Sequence, residues 1–112
     1  PELATMGETI DTAKEKNLDF MVSKFPFAAN GRAITMNATK GFIRILSDKA
    51  THIVIGAQIA GPGASDLISE FALAIENGLT TEDISMTVHP HPTLGEAIMD
   101  TSELADGVPI HI

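Results

Sequence analysis

At 112 residues the chain has the length of one domain, enough to bury roughly two-thirds of the surface its unfolded form exposes, so one core is expected. Apolar residues make up 44% of it with no uninterrupted run long enough to cross a bilayer as a helix, and a soluble, cytoplasmic protein is expected. The formal net charge of −8 disfavours nucleic acid and anionic membrane surfaces as partners, and the absence of cysteine excludes disulfides, thiolate metal sites and a thiol nucleophile within this chain.

The opening Pro1-Glu2-Leu3-Ala4-Thr5 has no initiator methionine, basic region or apolar signal core and reads as a cut piece. Glu8 to Lys16 is rich in helix formers, with Ile10, Ala13 and Leu3 as a weak inner face and Asn17 as a left-handed stop, and predicts a short first helix. Leu18 to Phe25 alternates, with Phe20 and Val22 on one face and Met21 and Ser23 on the other, so it predicts a strand ended by Pro26, which lacks a ladder donor. Turn chemistry at Asn30-Gly31 predicts an ordered loop, followed by a brief helical turn over Ala33 to Ala38. Gly41 to Leu46 and Thr51 to Ile59 are β-rich, and Ser47-Asp48-Lys49 between them predicts a tight antiparallel hairpin.

After Gly61-Pro62-Gly63, the spacing of Leu67, Ile68, Phe71, Ala74 and Ile75 predicts a helix over Ala64 to Asn77, stopped by Gly78. Thr80 to Ser85 predicts a short helical turn capped by Thr80, and Thr93 to Ala105 predicts an amphipathic helix through Leu94, Ala97, Ile98 and Thr101. The expected architecture is α+β, a mainly antiparallel sheet packed against helices. No internal repeat or linker divides residues 1–112, so a single domain is expected.

Gly56, Gly61 and Gly63 lie between a strand and a helix, where phosphate loops occur, but Pro62 deletes a donor and no dinucleotide fingerprint is present. They predict a tight turn. The only aromatic residues are five Phe, poor material for a base-stacking platform. His89 and His91 could share one side of an extended segment, but no third ligand stands at a recurring zinc spacing. His52 alternates onto the polar side of its strand and His111 lies in a terminal tail, so no metal site is expected.

Thr93-x-x-Glu96 before an apolar helix is a capping box, and this alone accounts for Glu96. Against that reading, Pro90 and Pro92 hold His91 rigidly just before the helix, and either His-Pro bond can be cis. A histidine there can meet a glutamate in the first helical turn. Such a carboxylate would orient the ring, fix its tautomer and make it a proton shuttle at neutral pH.

The run His89-Pro90-His91-Pro92-Thr93-Leu94-Gly95-Glu96 resembles the His-x-His-Pro-Thr-x-x-Glu motif of the pyridine nucleotide-disulfide oxidoreductases, in the dimerisation domain that ends those enzymes. Pro1-Glu2-Leu3-Ala4 with Gly7, Phe25-Pro26-Phe27-Ala28-Ala29-Asn30 with Arg32-Ala33, and Gly56 through Ala64 resemble further segments of that domain in the same order. His89 and the Leu94-Gly95 pair bring the likeness nearest to the lipoamide dehydrogenase branch. Gly95 stands where the family commonly has serine, which should weaken the helix slightly.

The resemblance implies that residues 1–112 are one dimerisation domain of a larger homodimeric flavoenzyme, with FAD, NAD and a redox-active cysteine pair held by upstream domains. It implies no cofactor site within this segment and no activity from the segment alone. The catalytic residues it implies are His91, reaching across the two-fold axis to the partner's disulfide, and Glu96 behind it. A peripheral subunit-binding domain of an acyltransferase component is implied as a further partner. The same domain from another flavin disulfide reductase, or a purely structural self-association module, remain alternatives.

Overall fold

Side chains alternate across a strand, so matched apolar positions on paired strands build one continuous buried face. The computed structural model describes residues 2–106, and in it four antiparallel strands pair in the order β1-β4-β3-β2. They are β1 Glu2–Gly7, β2 Phe20–Pro26, β3 Phe42–Asp48 and β4 Val54–Gly61. Phe25 opposes Ile43, Ile43 opposes Ile59, Ile45 opposes Ala57, and Ala4 opposes Ile59. This register places Ile43, Ile45, Ala57 and Ile59, all fully buried, on the core face.

Helices α1 Ile10–Glu15, α2 Gly31–Thr35, α3 Ala64–Glu76, α4 Thr81–Ser85 and α5 Glu96–Ala105 complete the α+β fold. The longer two cover the sheet: α3 packs on β4 and β1, while α5 packs on β2 and β3 and is flanked by α4. Phe71 and Ala74 from α3, Ile84 from α4, and Ala97 and Ile98 from α5 close the core over Phe25 and Phe27. The fully buried Phe27, Phe71 and Ile98 side chains each contribute about 1.5–3 kcal/mol relative to exposure.

Several elements depart from the sequence expectations. Glu2–Gly7 is a strand, and Leu3, expected on the inner face of the first helix, lies on it 78% exposed. The hairpin turn is longer than Ser47-Asp48-Lys49: β3 runs to Asp48 and β4 begins at Val54, because the Asp48 carboxylate accepts from the Ala50 and Thr51 amides and from the Thr51 hydroxyl. His52 is therefore not on the polar side of a strand but in this turn, with a left-handed φ of 65°. Asn30 is the N-cap of α2 rather than a plain turn residue. Helix α5 begins at Glu96, one turn later than expected, and the His111 reading lies outside the described residues.

The glycine cluster makes room for close packing. A Cβ on Gly56 would stand 1.9 Å from the Glu8 carbonyl oxygen, so only glycine lets the β1–α1 connection cross β4 there. A Cβ on Gly61 would meet the buried Phe27 ring at 2.8 Å. Phe27 in turn anchors the short 3-10 turn Phe27–Ala29 that leads to Asn30.

Candidate functional site

The segment ahead of α5 is held by bonds that the Pro-x-Pro-Thr sequence makes possible. The His91–Pro92 peptide is cis. The Thr93 hydroxyl donates to the Pro90 carbonyl at 2.6 Å and accepts from the Glu96 amide at 3.2 Å. The Thr93 amide donates to Glu96 Oε1 at 3.0 Å. This is the reciprocal arrangement of a capping box, and it satisfies donors that a helix start leaves open. The positive end of the helix dipole also favours a carboxylate in that first turn.

The same carboxylate meets His91, whose Nδ1 lies 2.9 Å from both Glu96 oxygens. The capping role and the His-Glu pair were alternatives in the sequence, and Glu96 has both contacts at once. The two side chains differ in environment: Glu96 is 11% exposed and His91 77%. A carboxylate only accepts, so Nδ1 carries the hydrogen and Nε2 of the neutral ring is left as the base. Among the described residues Nε2 has no hydrogen-bond partner, and the exposed ring presents it to solvent.

Beside the pair a cavity of about 140 Å³ is lined by Ala29, Asn30, Gly31, His91, Glu96 and Asp100. Asn30, 3% exposed, uses both ends of its amide: Oδ1 accepts from the Ala33 amide at 2.8 Å, and Nδ2 donates to the Thr93 carbonyl at 3.0 Å. Sequence reasoning missed this residue as part of the site. An asparagine directly before Gly31-Arg32-Ala33-Ile34 was a readable N-cap signal, but its second contact lies 63 residues away.

His89 and His91 do not share a side. The His89 side chain is 6% exposed, with Nε2 2.7 Å from Glu70 Oε2 on α3 and Nδ1 2.8 Å from the Thr87 carbonyl. It pins the start of the segment to α3, as a packing or positioning residue would, and leaves His91 alone facing out.

A group that sequence spacing did not reveal joins His52, Glu82 and Asp106, each offering one atom within 4.8 Å of the others. These atoms already have partners. His52 Nδ1 is 2.5 Å from Glu82 Oε2, while Asp106 accepts from the hydroxyls of Thr81 and Ser85 at 2.9 Å each. The hydrogen bond with Glu82 raises the His52 pKa above its usual value. Burial works to raise Glu82, but the His52 hydrogen bond, with further contacts, outweighs it and holds the carboxyl below its usual range. The trio staples the hairpin turn, α4 and the end of α5.

The strand-to-helix turn at Gly61-Pro62-Gly63 does not fit a dinucleotide phosphate. The start of α3 already receives a carboxylate, because Glu2 Oε1 accepts from the Ser65 amide at 2.9 Å and its hydroxyl at 3.0 Å. Space beside Gly61 is filled by Phe27. Among the described residues no helix is long and apolar enough to cross a membrane.

Comparison with known proteins finds relatives over nearly the whole chain. Residues 1–102 match the family model of the pyridine nucleotide-disulphide oxidoreductase dimerisation domain. The chain is 59% identical over 112 residues to dihydrolipoyl dehydrogenase of Bacillus subtilis, covering all of this chain and 24% of that protein. It is 53% identical over 112 residues to the dihydrolipoyl dehydrogenase of Geobacillus stearothermophilus, again covering all of this chain and 24% of that protein. Among solved structures, LpdA from Mycobacterium tuberculosis superposes with a TM-score of 0.89 at 27% identity, over 94% of this chain and 23% of that one. The chain thus spans about a quarter of the length of the curated relatives it matches. On the sheet topology, the segment before α5 and these matches, the chain belongs to the pyridine nucleotide-disulphide oxidoreductase dimerisation-domain family.

Proposed function

We propose that residues 1–112 form the single dimerisation domain of a homodimeric, cytoplasmic dihydrolipoyl dehydrogenase, in which His91 and Glu96 serve the partner subunit's disulfide. The observation that carries this reading is the bidentate contact of a nearly buried Glu96 carboxylate with an exposed His91 imidazole. That pairing orients the ring, sets its tautomer and stabilises the cation formed when Nε2 takes a proton.

In the proposed step, His91 Nε2 accepts a proton from one thiol of dihydrolipoamide. The thiolate attacks the partner's disulfide, forming a mixed disulfide and expelling one cysteine sulfur as a thiolate. The second substrate thiol then gives its proton to the expelled cysteine thiolate and attacks the substrate sulfur of the mixed disulfide, expelling the other cysteine as a thiolate and leaving oxidised lipoamide and a reduced cysteine pair with one thiol and one thiolate. Glu96 holds the imidazolium in place throughout. The cysteines, FAD and NAD belong to upstream domains, and no residue of this chain is assigned to them.

A peripheral subunit-binding domain of an acyltransferase component is the proposed further partner, by likeness to the dihydrolipoyl dehydrogenases. Self-association draws support from Met86 and Val88, 82% and 93% exposed on the stretch that leads to His91. The alternative of a purely structural module predicts the same dimer without proton transfer. Changing His91→Ala in the full-length flavoenzyme separates the two: loss of dihydrolipoamide turnover by about 10²–10⁴-fold is expected for a lost general base, and near-normal turnover would sink the reading.

A further inference from the structure

We propose that Asn30 is a positioning residue for the proton-transfer pair, fixing where His91 presents Nε2 to the partner's disulfide; this rests on the function proposed above. The bonds that shape the 90–96 segment are mostly internal to it. Thr93 bonds Pro90 and Glu96, and Glu96 bonds His91. They set the shape of the segment, while its two ends are held by the His89–Glu70 contact to α3 and by α5 on the sheet. The bond from Asn30 Nδ2 to the Thr93 carbonyl, 3.0 Å long across 63 residues, reaches outside the segment.

The anchor on the other side of that bond is rigid. Phe27 and Ala33, on either side of Asn30 in sequence, are fully buried. The Phe27 amide donates to the Gly41 carbonyl at 3.1 Å, and the Asn30 amide donates to the Phe27 carbonyl at 2.9 Å. Between the end held by His89 and the end held by α5, one path from the core to the middle of the segment therefore runs Phe27, Asn30, Thr93. Asn30 also lines the cavity beside the pair, so release of the Thr93 carbonyl would let the segment tilt into that space. A displacement of about 1 Å at a reacting group can cost on the order of 100-fold in rate.

Two substitutions separate the tether from the helix cap. Asn30→Asp keeps an oxygen for the Ala33 amide but sets a second acceptor against the Thr93 carbonyl. Asn30→Ser also caps well but is too short to reach Thr93. Both are made in the full-length flavoenzyme, alone and with His91→Ala, and dihydrolipoamide oxidation is followed with flavin absorbance and dimer mass as checks of folding. The expected result for each single variant is a fall in kcat of about tenfold to 100-fold with KM little changed. In the His91→Ala background neither should cost anything further, because the group being positioned is gone. Wild-type kcat in both single variants, or a loss that multiplies upon that of His91→Ala, overturns the positioning role alone. Full turnover in His91→Ala overturns the proton-transfer reading and this inference with it.

Discussion

Glu96 makes two contacts, one as a helix cap and one to His91, and a pair of substitutions can pull apart the cap from the proposed proton-transfer role. Its Oε1 takes the Thr93 amide at 3.0 Å, and both oxygens take His91 Nδ1 at 2.9 Å. Glu96→Gln retains a carbonyl oxygen for the Thr93 amide, and glutamine is an accepted capping-box residue. It should cost less than about 0.5 kcal/mol, as substitutions that keep their contacts do. Glu96→Ala removes the acceptor and leaves a partly buried N–H unsatisfied, at about 1–2 kcal/mol. Turnover follows a different rule. Gln replaces an anion with a neutral amide, whose NH₂ can donate to Nδ1 and shift the hydrogen of the ring to Nε2, the atom proposed to accept the substrate's proton. Both variants should therefore lose about 10²-fold or more in dihydrolipoamide turnover, which is about 2.7 kcal/mol of transition-state stabilisation at the least. Chemical denaturation of the 112-residue chain and steady-state turnover of the full-length flavoenzyme read the two effects. Glu96→Gln with turnover within about twofold of wild type would refute the reasoning and leave Glu96 as a helix cap only.

Two further outcomes follow from the fold. Gly95 sits in ordinary helical geometry at φ −61°, and a Cβ there would meet only the Thr93 hydroxyl at a comfortable 3.7 Å. Gly95→Ala should then raise stability by about 0.4–1 kcal/mol by restricting the unfolded chain, and a lower denaturation midpoint would contradict the placement. The His52–Glu82 pair predicts a pH dependence of defined sign. The raised pKa of His52 gives a contribution fully present below its ordinary 6.5 and lost as pH rises through the raised value. The lowered pKa of Glu82 gives one present above its ordinary 4.5 and lost as pH falls through the lowered value. His52→Asn, which keeps the left-handed backbone accessible, should therefore cost most thermal stability between about pH 4.5 and 6.5 and little at alkaline pH; a deficit constant with pH would count against the pair.

What the sequence made legible was local. Helix α3 has a clear apolar stripe, α4 carries its Thr80 capping box, and β3 and β4 are rich in β-branched residues with the hairpin connection between them. The proline-flanked His91 and the Thr93-x-x-Glu96 box lie in one short run, so both readings of Glu96 were available. What stayed hidden depends on partners distant in the chain. Strand β1 is short and half exposed, and it exists because β4 pairs with it from Gly7↔Gly56 to Glu2↔Gly61. Helix α5 showed one apolar stripe, yet Asp100, Ser102 and Glu103 are buried as well, since the helix packs on β2 and β3 and against α4 and so has more than one covered side. His52 read as a strand residue because the Asp48 turn that lifts it into left-handed geometry is made by side-chain acceptance, which a β-propensity pattern does not register. Asn30 and Glu70 likewise have contacts that no spacing rule connects to residues 89–96.

The central claim is that His91 acts on the disulfide of the other subunit, and a mixed dimer tests it most directly. One full-length subunit carries His91→Ala with its cysteine pair intact, and the other carries His91 with its upstream cysteine pair replaced by serine. Each homodimer alone should be inactive toward dihydrolipoamide. In the mixed dimer, His91 of the second subunit faces the disulfide of the first, so one of the two sites should be restored. A mixed dimer no more active than its parents would show that His91 does not work across the subunit boundary.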